Sequence, residues 1–231
     1  MTKLSKRLEC LVHFVDENEN YIDIGCDHGL LDIALAKKYQ GAKIIASDIN
    51  ENALNNARKN IKKCHLEDRI ETVQSDGLKV ITPAKATTVI ISGMGAHTIV
   101  GILNQSDLKL KNVNTLVIQS NNDLDFLRKK VTHLGYYIQK EALVMDANII
   151  YTIIVFRKGY RFYTPKQLYL GPCLQKENSL LFQKKIKQDL EKMYSFYPNI
   201  PRCHFRYRNK IKRKIKYLSK TLTKSNEKFN R

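Results

Sequence analysis

Leu4, Leu8, Leu11, Val12 and Val15 recur at steps of four, three, one and three, which is one face of a helix. After the polar stretch from Asp16 to Asn20, short apolar runs alternate with helical segments. Tyr21-Ile-Asp-Ile reads as a strand ending at Gly25, Leu30 to Tyr39 as a helix, and Lys43 to Ser47 as a second strand. Glu51 to Lys63 is helical, with Ala53, Leu54, Ala57 and Ile61 on one face. Ile70 to Gln74, Thr88 to Ser92 and Thr115 to Gln119 give three more strands, with helices expected over Ala96 to Asn104 and Asp123 to Leu134. Strands alternating with helices imply right-handed crossovers and a mainly parallel sheet covered on both faces. Tyr136 to Met145 and Ile149 to Phe156 are separated by a short polar turn, spacing that suits an antiparallel hairpin closing the sheet.

Past Lys158 the strand signal stops. Glu177 to Phe196 reads as a helix, and Pro198 and Pro201 break it. Tyr207 to Leu222 is a second helix with Ile211, Ile215, Leu218 and Leu222 on one narrow stripe, so the two are expected to pair as an antiparallel coiled-coil hairpin. The tail beyond Thr223 is expected to fray. The fold class is therefore α/β: a Rossmann-like seven-stranded sheet of the methyltransferase layout, mostly parallel with a terminal antiparallel hairpin, plus a C-terminal helical hairpin. The expected domains are 1–158 and 159–231.

Charge changes this picture more than composition does. The chain has 231 residues, is 43% hydrophobic and carries a formal net charge of +18. Arg157 to Arg231 hold 21 Lys and Arg against 4 Asp and Glu, whereas Met1 to Phe156 hold 19 against 18. A segment so one-sided repels itself and calls for a polyanionic partner. Nucleic acid fits better than a membrane, because no helix here pairs a wide apolar face with the basic one. The candidate contacts are Arg202, Arg206, Arg208, Lys210, Lys212, Arg213 and Lys214, interleaved with Phe205 and Tyr207, which could stack on bases or pack inward. No apolar run approaches the roughly 18 residues of a membrane span, and Met1 to Glu9 hold no secretory apolar region. The 5 cysteines are scattered without a Cys-x-x-Cys, which suits neither a disulfide framework nor zinc. A monomer working in the cytoplasm without a metal is expected.

The strongest local motif is Asp23-Ile-Gly-Cys-Asp-His-Gly29, at a strand end and a helix start. A pyrophosphate-binding turn needs Gly-x-Gly-x-x-Gly. Here Gly25 and Gly29 are spaced differently, and Asp23 and Asp27 flank the turn. That arrangement is poor for a pyrophosphate and suited to the cationic aminoacyl end of S-adenosylmethionine, with Cys26 and His28 in the same turn. Asp48, followed by Ile49, ends the second strand, where an acid can accept from both hydroxyls of a ribose. Asp76-Gly77 follows the third strand, where a carboxylate can take an adenine amino group. Each acid alone could cap a helix, but three at successive strand ends trace one ligand crevice. The fourth strand ends in Ser92-Gly-Met-Gly-Ala-His97, with Gly93 and Met94 facing the transferred methyl group. This loop lacks the (Asp/Asn)-Pro-Pro-aromatic motif of exocyclic-amino methylation, which leaves a ring nitrogen or another acceptor. His97 is read as a surface or capping residue.

Asp23-Ile-Gly-x-Asp-His, Ser47-Asp-Ile, Ser92-Gly-Met-Gly and Gln119-Ser-Asn-Asn122, in this order, resemble the bacterial tRNA (adenine-22-N1)-methyltransferase family. The likeness extends to Ile150-Tyr-Thr-Ile-Ile and Leu170-Gly-Pro172, and so covers most of the chain. The family often has proline at Ser120 and a second glycine at Ala96, departures that touch loop geometry and remove no functional group. The resemblance implies methyl transfer from S-adenosylmethionine to N1 of adenine 22 in tRNA. Asp27 or Asn121 would then orient the adenine through its N6 group, with Gly93 and Met94 walling the site. Other readings compete, of which a nicotinamide dehydrogenase is disfavoured by the missing third-position glycine. A methyltransferase of another RNA base shares every motif, and one acting on a small molecule would leave the basic segment unexplained. A non-enzymatic RNA-binding protein on the same scaffold should have lost Asp23, Asp48 and Asp76.

Overall fold

The strands richest in apolar residues become the middle of the sheet, because a parallel strand covered on both faces has no solvent side to mark with polar residues. The computed structural model describes residues 4–16, 20–79, 87–105 and 110–229, without the side chains of 224–229. They form two compact units, one ending at Arg161 and one beginning at Phe162.

The first unit runs α1 (Lys6–His13), β1 (Tyr21–Ile24), α2 (Leu30–Lys38), β2 (Ile44–Asp48), α3 (Glu51–Lys63), β3 (Ile70–Gln74), β4 (Thr88–Met94), α4 (Ala96–Asn104), β5 (Thr115–Ser120), α5 (Leu124–His133), β6 (Tyr136–Asp146) and β7 (Ile149–Lys158). Its seven strands lie in the order β3-β2-β1-β4-β5-β7-β6. β3 through β5 are parallel, and β7 joins β5 antiparallel with β6 outside it. All of β1 and β5 is buried, including the polar Asp23, Thr115, Gln119 and Ser120. Ala147 and Asn148 both take positive φ, 46° and 63°, the two-residue turn whose twist matches a hairpin. The Rossmann-like sheet with its antiparallel end is the expected one. Beneath the hairpin, Arg128 of α5 donates from Nε to Glu141 Oε1 of β6 at 2.7 Å, with side chains 1% and 0% exposed.

The second unit holds α6 (Pro165–Leu170), α7 (Pro172–Glu177), α8 (Leu180–Phe196), a 3₁₀ turn (Tyr197–Asn199) and α9 (Phe205–Phe229). Leu180 at the start of α8 and Leu222 towards the end of α9 line one groove, so the pair is antiparallel. Two expectations need correction. The first long helix begins at Leu180 rather than Glu177, because Asn178 in the left-handed conformation ends α7 and Ser179 caps α8. The second does not fray past Thr223 but continues to Phe229, since that stretch contains neither glycine nor proline to stop it. Two short helices precede them unannounced. Pro165 and Pro172 start them at the position where a missing N–H costs nothing, and Thr164 with Gln167 forms a capping box. Among the described residues no helix is long and apolar enough to cross a membrane.

Candidate functional site

The strand order reverses between β1 and β4, and in an open α/β sheet the ligand crevice lies at the C-terminal ends of the strands at such a point. The expected cofactor residues gather at the tips of β1 to β4.

At the tip of β1, the N–H groups of Gly25 and Cys26 both donate to the Ser47 carbonyl, at 2.8 and 3.0 Å, tying it to β2. Gly25 has φ 79°, and a Cβ there would lie 2.3 Å from Met94 Cε. The positive φ favours glycine here, and a side chain would also have to push the Met94 terminus aside. Asp27 holds a positive φ of 52°, a strained conformation for a residue with a side chain, and its carboxylate is 71% exposed. His28 Nε2 lies 3.6 Å from Asp27 Oδ2. Asp48 caps this turn: Oδ2 accepts from the Asp27 N–H at 3.2 Å and Oδ1 from the Asn50 N–H at 2.9 Å. The N-cap of α3 is Asn50, so Asp48 is not spent on that helix.

Asp23 is buried. Desolvation pushes its carboxyl up to about 7, and the Asp48 charge adds to the rise. Beside it stands Asp32 of α2, also buried, raised well above the carboxylate range by burial and then by Asp23. Neither oxygen of Asp32 has a hydrogen-bond partner among the described residues. Cys26 is buried with its thiol pushed up by burial and by the three carboxylates, so it packs as a neutral group.

The tip of β3 is tied to β2 by the Ser75 N–H donating to the Asp48 carbonyl at 3.0 Å. Asp76 pairs with Lys79, and Gly77, at φ 66°, packs against Ile102. Ile49 is 66% exposed, an apolar side chain on the crevice rim.

The β4 loop is held by amides. Gln119 is buried, and its Oε1 accepts from the Gly93 N–H at 2.9 Å and from Arg7 Nη1 at 2.8 Å. Gln119 Nε2 donates to Asn121 Oδ1 at 3.0 Å, and Asn121 Nδ2 donates to the Gly93 carbonyl at 2.7 Å. Asn122 Oδ1 accepts from the Ala96 N–H at 2.9 Å, capping α4 where Gly95 offers no side chain. His97 is exposed and stacks on Phe126 with ring centroids 4.2 Å apart.

Sequence reasoning missed Asp32, Arg7 and Gln119. Asp32 left a trace, an acid inside the apolar run Leu30 to Ala36, but an acid in a first helical turn also suits the helix dipole. Arg7 left none, because its partner lies 112 positions away.

These residues fit S-adenosylmethionine. Buried carboxyls short of a cation suit its aminoacyl ammonium, the glycine turn lets its backbone approach, and Asp48 and Ile49 offer a polar and an apolar contact for a nucleoside. In the second unit Arg202, Arg206, Lys210, Lys212 and Arg213 are exposed. Arg208 instead lies over the Tyr197 ring at 4.4 Å and donates to the Ile200 carbonyl, and Lys214 lies 4.7 Å from the Tyr169 ring centre. Phe205 and Tyr207 are exposed rather than packed inward, Tyr207 edge-on to Phe196.

Comparison with known proteins gives a consistent result. The family described as TrmK: tRNA (adenine(22)-N(1))-methyltransferase matches residues 21–227. The tRNA (adenine(22)-N(1))-methyltransferase of Bacillus subtilis is 28% identical over 218 residues, 92% of each chain. The crystal structure of the B. subtilis m1A22 tRNA methyltransferase TrmK superposes with a TM-score of 0.88 at 25% identity, covering 96% of this chain and 100% of that one. That of Streptococcus pneumoniae Sp1610, a putative tRNA (m1A22) methyltransferase in complex with S-adenosyl-L-methionine, gives 0.87 at 29% identity over 95% and 100%.

Proposed function

This chain belongs to the TrmK family of tRNA (adenine(22)-N(1))-methyltransferases, and from that premise we propose how its residues divide the work. It transfers the methyl group of S-adenosylmethionine to N1 of adenine 22 in tRNA. The cofactor supplies an electrophilic methyl group on a sulfonium.

Asp23, supported by Asp32, receives the aminoacyl ammonium within the Gly25–Gly29 turn, where Cys26 and His28 complete the wall. Asp48 receives the ribose hydroxyls, Ile49 lies along the adenosine, and Asp76 with Gly77 bounds the adenine edge. Gly93 and Met94 wall the transfer site. Asn121 Oδ1 accepts from the N6 group of the target adenine and so aims N1. N1 attacks through an in-plane lone pair and loses no proton, so no base is needed. The product ring is cationic, and the exposed Asp27 carboxylate stabilises it. The observation that carries this division is how near the Met94 terminus comes to Gly25, where a Cβ would lie 2.3 Å from it, bringing the cofactor turn and the β4 loop together. A sulfonium needs no Lewis acid to leave, which supports a metal-free reaction.

Arg202, Arg206, Arg208, Lys210, Lys212, Arg213 and Lys214 are proposed to meet tRNA phosphates, offsetting the few kcal/mol needed to unstack the target base. We further propose a monomer in the cytoplasm, where tRNA is matured. The test is methyl transfer from labelled S-adenosylmethionine to unmodified tRNA carrying adenine or guanine at position 22. Label recovered as 1-methyladenine only with adenine there supports the reading, and equal labelling of both overturns the position.

A further inference from the structure

Arg7 breaks a rule of the helix that carries it. It lies in the first turn of α1, behind the Ser5 cap, where a cation opposes the helix dipole. Residues that break local rules tend to mark function. Three attachments hold it against the far half of the sheet. Its backbone N–H donates to Asp146 Oδ2 at 3.2 Å, its guanidinium lies 5.3 Å from the Tyr151 ring centre, and Nη1 donates to Gln119 Oε1 at 2.8 Å.

That last bond acts with the Gly93 N–H to fix how the Gln119 amide faces. A guanidinium can only donate, as can the Gly93 N–H, so the Gln119 atom between them must be the oxygen. Ser92 Oγ makes a longer contact to the same oxygen at 3.4 Å. The Gln119 nitrogen is thereby turned to Asn121, whose facing atom must accept. Asn121 Oδ1 is set there, leaving Nδ2 to donate to the Gly93 carbonyl. Gly93 closes the row at both ends, its N–H on Gln119 and its carbonyl on Asn121, and Arg7 adds a charged donor to it.

We infer that Arg7 is a positioning residue for methyl transfer: through Gln119 it sets the orientation of Asn121 and of Gly93 at the transfer loop. This rests on the reading that Asn121 meets the target adenine. In the imposed orientation Asn121 Oδ1 keeps one lone pair, and the N6 amino group of adenine is a donor that matches it. Reversed, the amide would offer N–H to N–H. The arrangement also keeps the guanidinium on a neutral amide, off the base that becomes cationic.

The test uses the full-length enzyme with unmodified tRNA, measuring kcat, KM for tRNA, cofactor Kd and Tm. Arg7→Ala should lower kcat by on the order of tenfold or more, with cofactor Kd and tRNA KM within about twofold, and added guanidinium should restore part of kcat. Gln119→Glu retains an acceptor for Arg7 and gains an ion pair with it, yet has no N–H for Asn121. Its kcat should fall while Tm holds or rises. Full kcat in either variant overturns the inference, as does a loss confined to cofactor Kd or tRNA KM, or a fall in Arg7→Ala that guanidinium does not relieve. Should Arg7→Ala fail to fold, Gln119→Glu decides alone. Wild-type enzyme that leaves adenine 22 unmethylated would overturn the functional reading itself, a failure visible before any variant is made.

Discussion

Burial keeps a proton on Asp23 up to about pH 7, against an ordinary 3.8. The folded state therefore binds more protons than the unfolded chain across that interval, and stability falls as pH rises through it. A cofactor ammonium favours the ionised form. We expect the thermal stabilisation by S-adenosylmethionine to grow from about pH 5 to about pH 7, and to decline above about pH 8 as the α-amino group itself loses its proton. Differential scanning fluorimetry with and without cofactor measures it, and a flat difference would contradict the role given to Asp23. Gly25→Ala should cost both cofactor affinity and turnover, because its Cβ would displace the Met94 terminus from 2.3 Å and strain a backbone at φ 79°. Asp27→Ala should cut turnover by more than about tenfold with cofactor Kd largely kept, since Asp27 offers its backbone N–H, not its carboxylate, to Asp48. Loss of cofactor binding alone would make Asp27 a cofactor ligand. At this scale the sequence announced acids at strand ends, because the sheet brings successive tips together whatever lies between them. It could not announce Gln119 as the hub of the β4 loop. Gln119 has the same letter whether its amide faces solvent or, as here, is sealed between two donors.

At the scale of elements, the least expected feature is an ion pair under the hairpin. Arg128 and Glu141 are dry on both sides, so removing one leaves the other charged without its partner. Glu141→Ala should cost about 3–5 kcal/mol in urea unfolding, and the double replacement Arg128→Met with Glu141→Leu should recover most of it. A single-variant cost below about 1 kcal/mol would place the pair in the class of surface bridges. The strands were legible within a residue or two, because runs such as Thr115 to Gln119 have no polar residue that must face water. The register of the last hairpin was legible in part. A polar turn was visible, but the shift between Ile138 and Lys140 depends on how β6 packs and leaves no mark in hydropathy. The short helices α6 and α7 were hidden because six residues are too few to show a helical period, and only the prolines at their starts mark them.

For the molecule as a whole, the charge imbalance is the most informative number in the sequence. From Lys192 to Asn226 there is no acidic residue. tRNA affinity should fall steeply with salt, with a log–log slope of several units if about five or more phosphates are met. Replacing Arg202, Arg206 and Lys210 with glutamine should flatten that slope by up to about one unit each. A slope near zero would remove the nucleic-acid role from the second unit. The first helix carries another consequence. Its Arg7 N–H meets Asp146, 139 residues later, so its contact with β6 waits for the hairpin, whereas its packing beside α2, where Tyr39 donates to the Val15 carbonyl, does not. On the ribosome, at about 5–20 residues per second, that is a wait of roughly 7 to 28 s, during which Leu11 and Val12 have only the earlier part of their core to pack on. The docking of α1 is thus completed only once the hairpin is made, and a nascent chain stalled before Asp146 should hold that helix less firmly than the finished protein does.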